Sequence, residues 1–288
     1  MEQMSFKDLT DLIDRYAELK SERGAHAAER HVAAAKKALA NALDAIRAVA
    51  EHDELRAREP DSLEAIEAAR PRRTHRELHP PEGDAYRERL SGALLARSAG
   101  CILGAPVELK KSESMEQWAA QIGDAFPPTD YWSEVPQPES IRYNTSRTDA
   151  YTRSNLNAIL VDDDLQYTLL GLLILEEHGR DFSTDDVGKS WLRYLPYACT
   201  AEDIALGNLR AGVPAEQAGA TDGVLPTGAI CFASTPDAPT WSQPVDNPYQ
   251  EWIGADIRSD GWAYAAPGWP ERAAEFAWRD ARLSHRRH

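Results

Sequence analysis

Apolar residues recur at helical spacing in two stretches near the start of the chain: Phe6, Leu9, Leu12, Ile13, Tyr16 and Leu19, then Val32, Leu39, Leu43, Ile46 and Ala50. This pattern predicts a helical hairpin within residues 1–58, with its turn near "ERGAH". Residues 59–85 read as a polar, proline-bearing linker holding one short helix, and its arginines Arg70, Arg72, Arg73 and Arg76 read as a solvated charge run. The main body then spans 86–288. In "LSGALLARSAGCILGAPVE" the small residues Gly92, Ala96, Gly100 and Gly104 fall every fourth position, and Leu94, Leu95, Ile102 and Leu103 fill other faces. The expectation is a buried helix, closely approached by another, that stops at Gly104 and Pro106. Leu109 to Ser154 shows weak periodicity and predicts irregular structure with one short helix near Met115–Gly123. After Asp164, apolar residues from Leu165 to Leu175 cover nearly the whole helical circumference, which predicts a second buried helix closed by Gly179. No stretch alternates as a strand would, so the predicted fold class is all-α.

The stretch "VDDDLQYTLL" crowds Asp162, Asp163 and Asp164 into the first turn of that apolar helix. The helix dipole favours an acidic side chain there by about 0.3–1 kcal/mol. Carboxylates about 5 Å apart in a partly shielded site repel by roughly 3 kcal/mol at an effective dielectric near 20, which exceeds that help. Either the side chains splay into water or a cation holds them, and a hard divalent ion such as Mg²⁺ or Mn²⁺ suits oxygen ligands. Both readings stay open on the residues alone. The paired aspartates of "STDDVGKSWL" need no ion, because Ser183 with Asp186 three residues on has the form of a capping box.

Composition narrows the partners. With 42% hydrophobic and 27% charged residues over 288 positions, the chain can bury a substantial core. The 32 basic against 47 acidic residues leave a net charge of −15, which argues against nucleic acid as a partner. Cys101, Cys199 and Cys231 are far apart and match no CxxC spacing, so no disulfide framework or cysteine metal site is expected. The N-terminus lacks a signal-peptide pattern and the longest apolar run, Leu169–Leu175, is too short for a bilayer, so a cytoplasmic protein without a membrane partner is expected.

Three segments in order carry a resemblance: "GALLARSAGCILGAPVE", "VDDDLQYTLLGLLILEE" and "EWIGADIRSDGWAYAAPGWPERAAEFAWRDARLSH". From Tyr86 to His285 the chain resembles the ADP-ribosylglycohydrolase family, also called the dinitrogenase-reductase-activating-glycohydrolase-like family. The resemblance implies an all-helical domain that removes ADP-ribose from a modified protein or another ADP-ribose conjugate, using a pair of Mg²⁺ or Mn²⁺ ions. It places the family's Thr-Asp-Asp metal motif on Asp162, Asp163 and Asp164, with an acid where threonine usually stands. It implies a catalytic set of Glu108, Asp163 and Asp164, and substrate-binding positions at Asp260, Asp280 and His285. A loop such as "GATDGVLPTGA", from Gly219, would offer backbone N–H groups to the diphosphate. The family's second acidic motif, Asp-x-Asp followed by Thr or Ser, is not found before the chain ends at "SHRRH". The expectation is therefore a truncated domain, incomplete at its C-terminus, that binds fewer ions or none. Two other readings stand beside it: a non-catalytic helical binding module and a metal-dependent phosphohydrolase.

Overall fold

Amphipathic spacing shapes the first of two units, Met1–Glu59, into α1 (Phe6–Glu22) and α2 (Ala27–Arg47), followed by a short α3 (Asp53–Arg58). Ser5 caps α1 by accepting a hydrogen bond from the Asp8 N–H at 3.1 Å, and Gly24, at φ +74°, turns the chain into α2. The computed structural model describes residues 5–50, 52–71, 82–142, 145–196, 198–220 and 246–286. The expected diphosphate loop from Gly219 lies almost wholly outside the described residues, as do Arg72, Arg73, Arg76 and Cys231.

The second unit, Pro60–His288, is also mostly helical. It runs through α4 (Leu63–Ala69), α5 (Gly83–Gly104), α6 (Ser112–Ile122), α7 (Asp163–His178) and α8 (Thr184–Tyr194). It continues with α9 (Thr200–Arg210), α10 (Ala215–Ala218), α11 (Ser259–Ala265) and α12 (Pro270–Ala281). Between α6 and α7, in largely irregular chain, lies the one strand pairing among the described residues, an antiparallel pair β1 (Ile141–Arg142) and β2 (Ser146–Arg147) with Ile141 opposite Arg147. Ser183 and Asp186 form the reciprocal capping box that starts α8, and Gly179, at φ +71°, closes α7.

The core forms where α7, α8, α9, α11 and α12 meet, around Ile174, Trp191, Leu206, Trp262, Phe276 and Leu283. Phe182 stacks on Trp262 at 4.9 Å between ring centroids and meets Phe276 at 5.5 Å. Gly188 lets α8 approach α10, since a Cβ there would lie 3.1 Å from that of Ala215. A smaller cluster of Ala119, Trp132 and Val135 sits under α6.

Two expectations are corrected. Helix α5 is not buried all round: Ile102 is its one buried residue, Leu95 is 64% exposed, and a Cβ added at Gly92, Gly100 or Gly104 would meet nothing within 4 Å. Only the side bearing Tyr86, Arg97 and Ile102 meets the described domain, with the Tyr86 hydroxyl donating to the Tyr264 carbonyl at 2.7 Å. Helix α7 likewise buries Tyr167, Leu170 and Ile174 but exposes Leu169 and Leu172. Helix α5 does end at Gly104, but not through a left-handed glycine: Gly104 has φ −77°, a 3₁₀ turn, Ala105–Val107, follows and accommodates Pro106, and the left-handed residue is Leu109 at φ +62°. By length and composition the segment Gly83–Val107 could cross a bilayer. Arg97 in its middle is instead tied to Asp260 and to the carbonyls of Asp164 and Ile257.

Beside the core lies a buried ionic cluster. Arg258 sends Nη1 to Glu202 at 2.7 Å and Nε to Asp280 at 2.7 Å, and its guanidinium lies 5.1 Å from the Trp191 ring and 5.4 Å from that of Tyr167. All three charged groups are buried, and the backbone of Gly254 presses so closely on Glu202 that a Cβ there would fall 1.9 Å from its Oε1. Removing the cation strands two buried acids, so Arg258→Met is expected to cost about 3–5 kcal/mol in urea unfolding. A loss under about 1 kcal/mol would show that the pair of acids does not depend on Arg258.

Candidate active site

The start of α7 is built by Asp162. In extended backbone at φ −152°, it is the N-cap, and its Oδ1 accepts from the Asp164 N–H at 3.1 Å. That bond folds the Asp162 side chain back over the first turn, onto the side where Asp164 points. These two carboxylates, Glu108 and Cys101 line one cavity of about 340 Å³ at the end of α5, together with Arg142. One ligand atom from each of Cys101, Asp162 and Asp164 lies within 4.8 Å of the other two.

Asp163 does not line this cavity. Its charge acts on Asp162 and Cys101 beside the cavity and also on Tyr167, Cys199 and Glu202. Asp162 is the N-cap in extended backbone, and Asp163 and Asp164 open the helix about 100° apart. Asp260 is paired with Arg97, which also reaches the Asp164 carbonyl at 2.8 Å and its carboxylate at 3.7 Å. Asp280 and His285 are placed elsewhere: Asp280 on Arg258, and His285 buried next to the Ser284 hydroxyl at 2.8 Å and 4.0 Å from Glu202.

Arg142, which sequence reasoning missed, organises the cavity. From β1 its guanidinium reaches the Glu108 carboxylate, Asp162 Oδ2 at 3.2 Å and the Ala105 carbonyl at 3.4 Å. Arg97 carried a legible signal, since a charge in the middle of an apolar, small-residue helix needs an acidic partner. Arg142 carried none, because a two-residue strand brings it to the site.

Burial, the hydrogen bond with Asp164 and the charge of Asp163 together push Asp162 up to about 7 against the pull of Arg142. Burial and the neighbouring charges of Asp164 and Asp162 push the Cys101 thiol up to about 11. The donor chemistry fits a hard divalent cation through the two aspartates, with the remaining positions open to water and substrate oxygens. A thiol that stays protonated at neutral pH adds nothing to that set.

The family model described as ADP-ribosylglycohydrolase matches residues 82–288, which span α5, both cavity aspartates and the Arg258 cluster. The chain belongs to the ADP-ribosylglycohydrolase family. No curated protein and no solved structure matches it. Members of this family act on ADP-ribosylated substrates, typically with a divalent metal, so membership points to glycohydrolase activity on ADP-ribose linkages.

A carboxyl whose folded value lies above its unfolded value of about 3.9 favours the folded state while it holds its proton. That contribution is present below pH 4 and is lost as pH rises through about 7 for Asp162, and Glu202, also pushed up to about 7 by burial, acts in the same direction. The urea midpoint should therefore fall between pH 4 and 8, and fall less for Asp162→Asn, in which the contributions of Glu202 and of Asp203, also raised by burial, remain. Superimposable pH profiles would contradict the assignment.

Proposed function

We propose that this chain hydrolyses the glycosidic bond of ADP-ribose carried by a protein or another conjugate, with Asp162 and Asp164 holding Mg²⁺ or Mn²⁺. The observation that carries this reading is the cavity that gathers Asp162, Asp164 and Glu108 at the end of α5. When bound, the ion supplies charge to grip sugar hydroxyls and to polarise an oxygen.

The chain's own groups do the rest. Glycosidic cleavage passes through an oxocarbenium-like state, whose positive charge is favoured in a cavity walled by carboxylates. Glu108 follows directly on the 3₁₀ turn, and its side chain is 54% exposed, so it reaches both solvent and the cavity. It is the group placed to move a proton to or from water or the departing group at its carboxylate oxygens. Arg142 holds Glu108 and Asp162 in register and brings a cation within reach of a substrate diphosphate. Asp280 and His285 lie in the Arg258 cluster rather than in the cavity and are assigned a structural part.

Product analysis tests this with an ADP-ribosylated protein and Mn²⁺. Free ADP-ribose is expected, and Glu108→Gln or Asp164→Asn should lower kcat/KM by about 100-fold or more. Inorganic phosphate as the product would assign a phosphohydrolase instead. No product with any of several ADP-ribosylated acceptors, at any Mn²⁺ concentration, would leave the binding-module reading.

A further inference from the structure

Within its own unit, and among the described residues, the N-terminal hairpin leaves an apolar seam uncovered. Neither α1 nor α2 contains a buried residue. Where they meet, half-buried Ile13 and Ala17 of α1 and Val32, Ala35 and Leu43 of α2 mark the contact. Leu9, Leu12, Tyr16 and Leu19 lie one residue, or about 100°, round α1 from that contact, spaced three, four and three apart. All four are exposed, Tyr16 by 58%, and on α2 Leu39 and Ile46, one heptad apart, are exposed as well. A two-helix hairpin buries only one side of each helix, and helices of 17 and 21 residues are marginal without a second packed face.

We infer that the hairpin is a dimerisation element whose occupant is a second copy of this chain, two hairpins closing into a four-helix bundle. Charge selects this partner. The first 50 residues hold eight basic and eight acidic side chains, so the net charge of −15 resides entirely in the remainder. Two copies approaching through their bodies repel, whereas two hairpins do not. Within the hairpin α1 carries three basic and five acidic residues, and α2 four basic and two acidic. An isologous two-fold arrangement sets the acidic α1 of each copy against the basic α2 of the other. The hairpin face is about 30 Å long and two helices, about 18 Å, wide. That is roughly 550 Å² before side chains interdigitate, close to the roughly 800 Å² of accessible surface per partner of a stable interface.

Sedimentation velocity on the full chain tests this. The wild type is expected at twice 31.9 kDa. Leu12→Ala with Tyr16→Ala keeps helix-favouring residues and spares the intra-hairpin contact, so its helical circular dichroism should be unchanged while dimer affinity falls roughly 100-fold. Leu12→Glu with Tyr16→Glu should sediment at 31.9 kDa. Leu169→Glu with Leu172→Glu, on the exposed face of α7, should remain dimeric. A wild type that is monomeric at about 100 µM overturns the inference, as does a dimer that survives both hairpin variants or is lost in the α7 variant.

Discussion

Like charges crowded at the start of α7 set the terms for the candidate site of this molecule. Asp162 is buried, Asp163 and Asp164 are its neighbours, and the apolar helix behind them offers no counter-charge. Four devices meet this repulsion without an ion. The N-terminal N–H groups of α7 face the aspartates, with the Asp164 N–H donating to Asp162; burial and acidic neighbours push Asp162 up, so it keeps its proton more readily; Arg142 pairs with Asp162; and Arg97 pairs with the Asp164 end. A cation among these carboxylates would compete with that proton and with Arg142, so the site as built is one in which a divalent ion and an arginine are alternatives for the same charge.

The same device ties the fold to the site. Arg97 links α5 to α7 and to Asp260 of α11, while Arg142 links the small β-pair to the end of α5 and the N-cap of α7. Asp163 does not line the cavity, and its charge is felt both by Asp162 and by the buried Glu202 that pairs with Arg258.

Much of this was legible in the amino-acid order. The hairpin periodicity, the small-residue helix, the acidic start of α7, its Gly179 terminus and the Ser183–Asp186 box all follow from local spacing, and the structure shows each of them. What was not legible is what spacing alone does not contain. An apolar circumference does not say which face is covered, so Leu95, Leu169 and Leu172 read as core and are exposed. Three acids in a row do not say which of them line a cavity, and here Asp162 and Asp164 do. Arg142 sits in a segment without periodicity, and only a tertiary turn delivers it to Glu108 and Asp162. The electrostatic argument from sequence left open whether the aspartates splay into water or gather round a cation; it did not foresee that Arg142 and Arg97 of the chain itself would pair with them.

Calorimetric titration with Mn²⁺ tests that account most directly, comparing the wild type with Asp162→Asn plus Asp164→Asn and with Arg142→Gln. The account predicts binding heat in the wild type, none in the double variant, and tighter binding once the competing guanidinium at position 142 is gone. Equal heats in the wild type and the double variant, or weaker binding in Arg142→Gln, would contradict it.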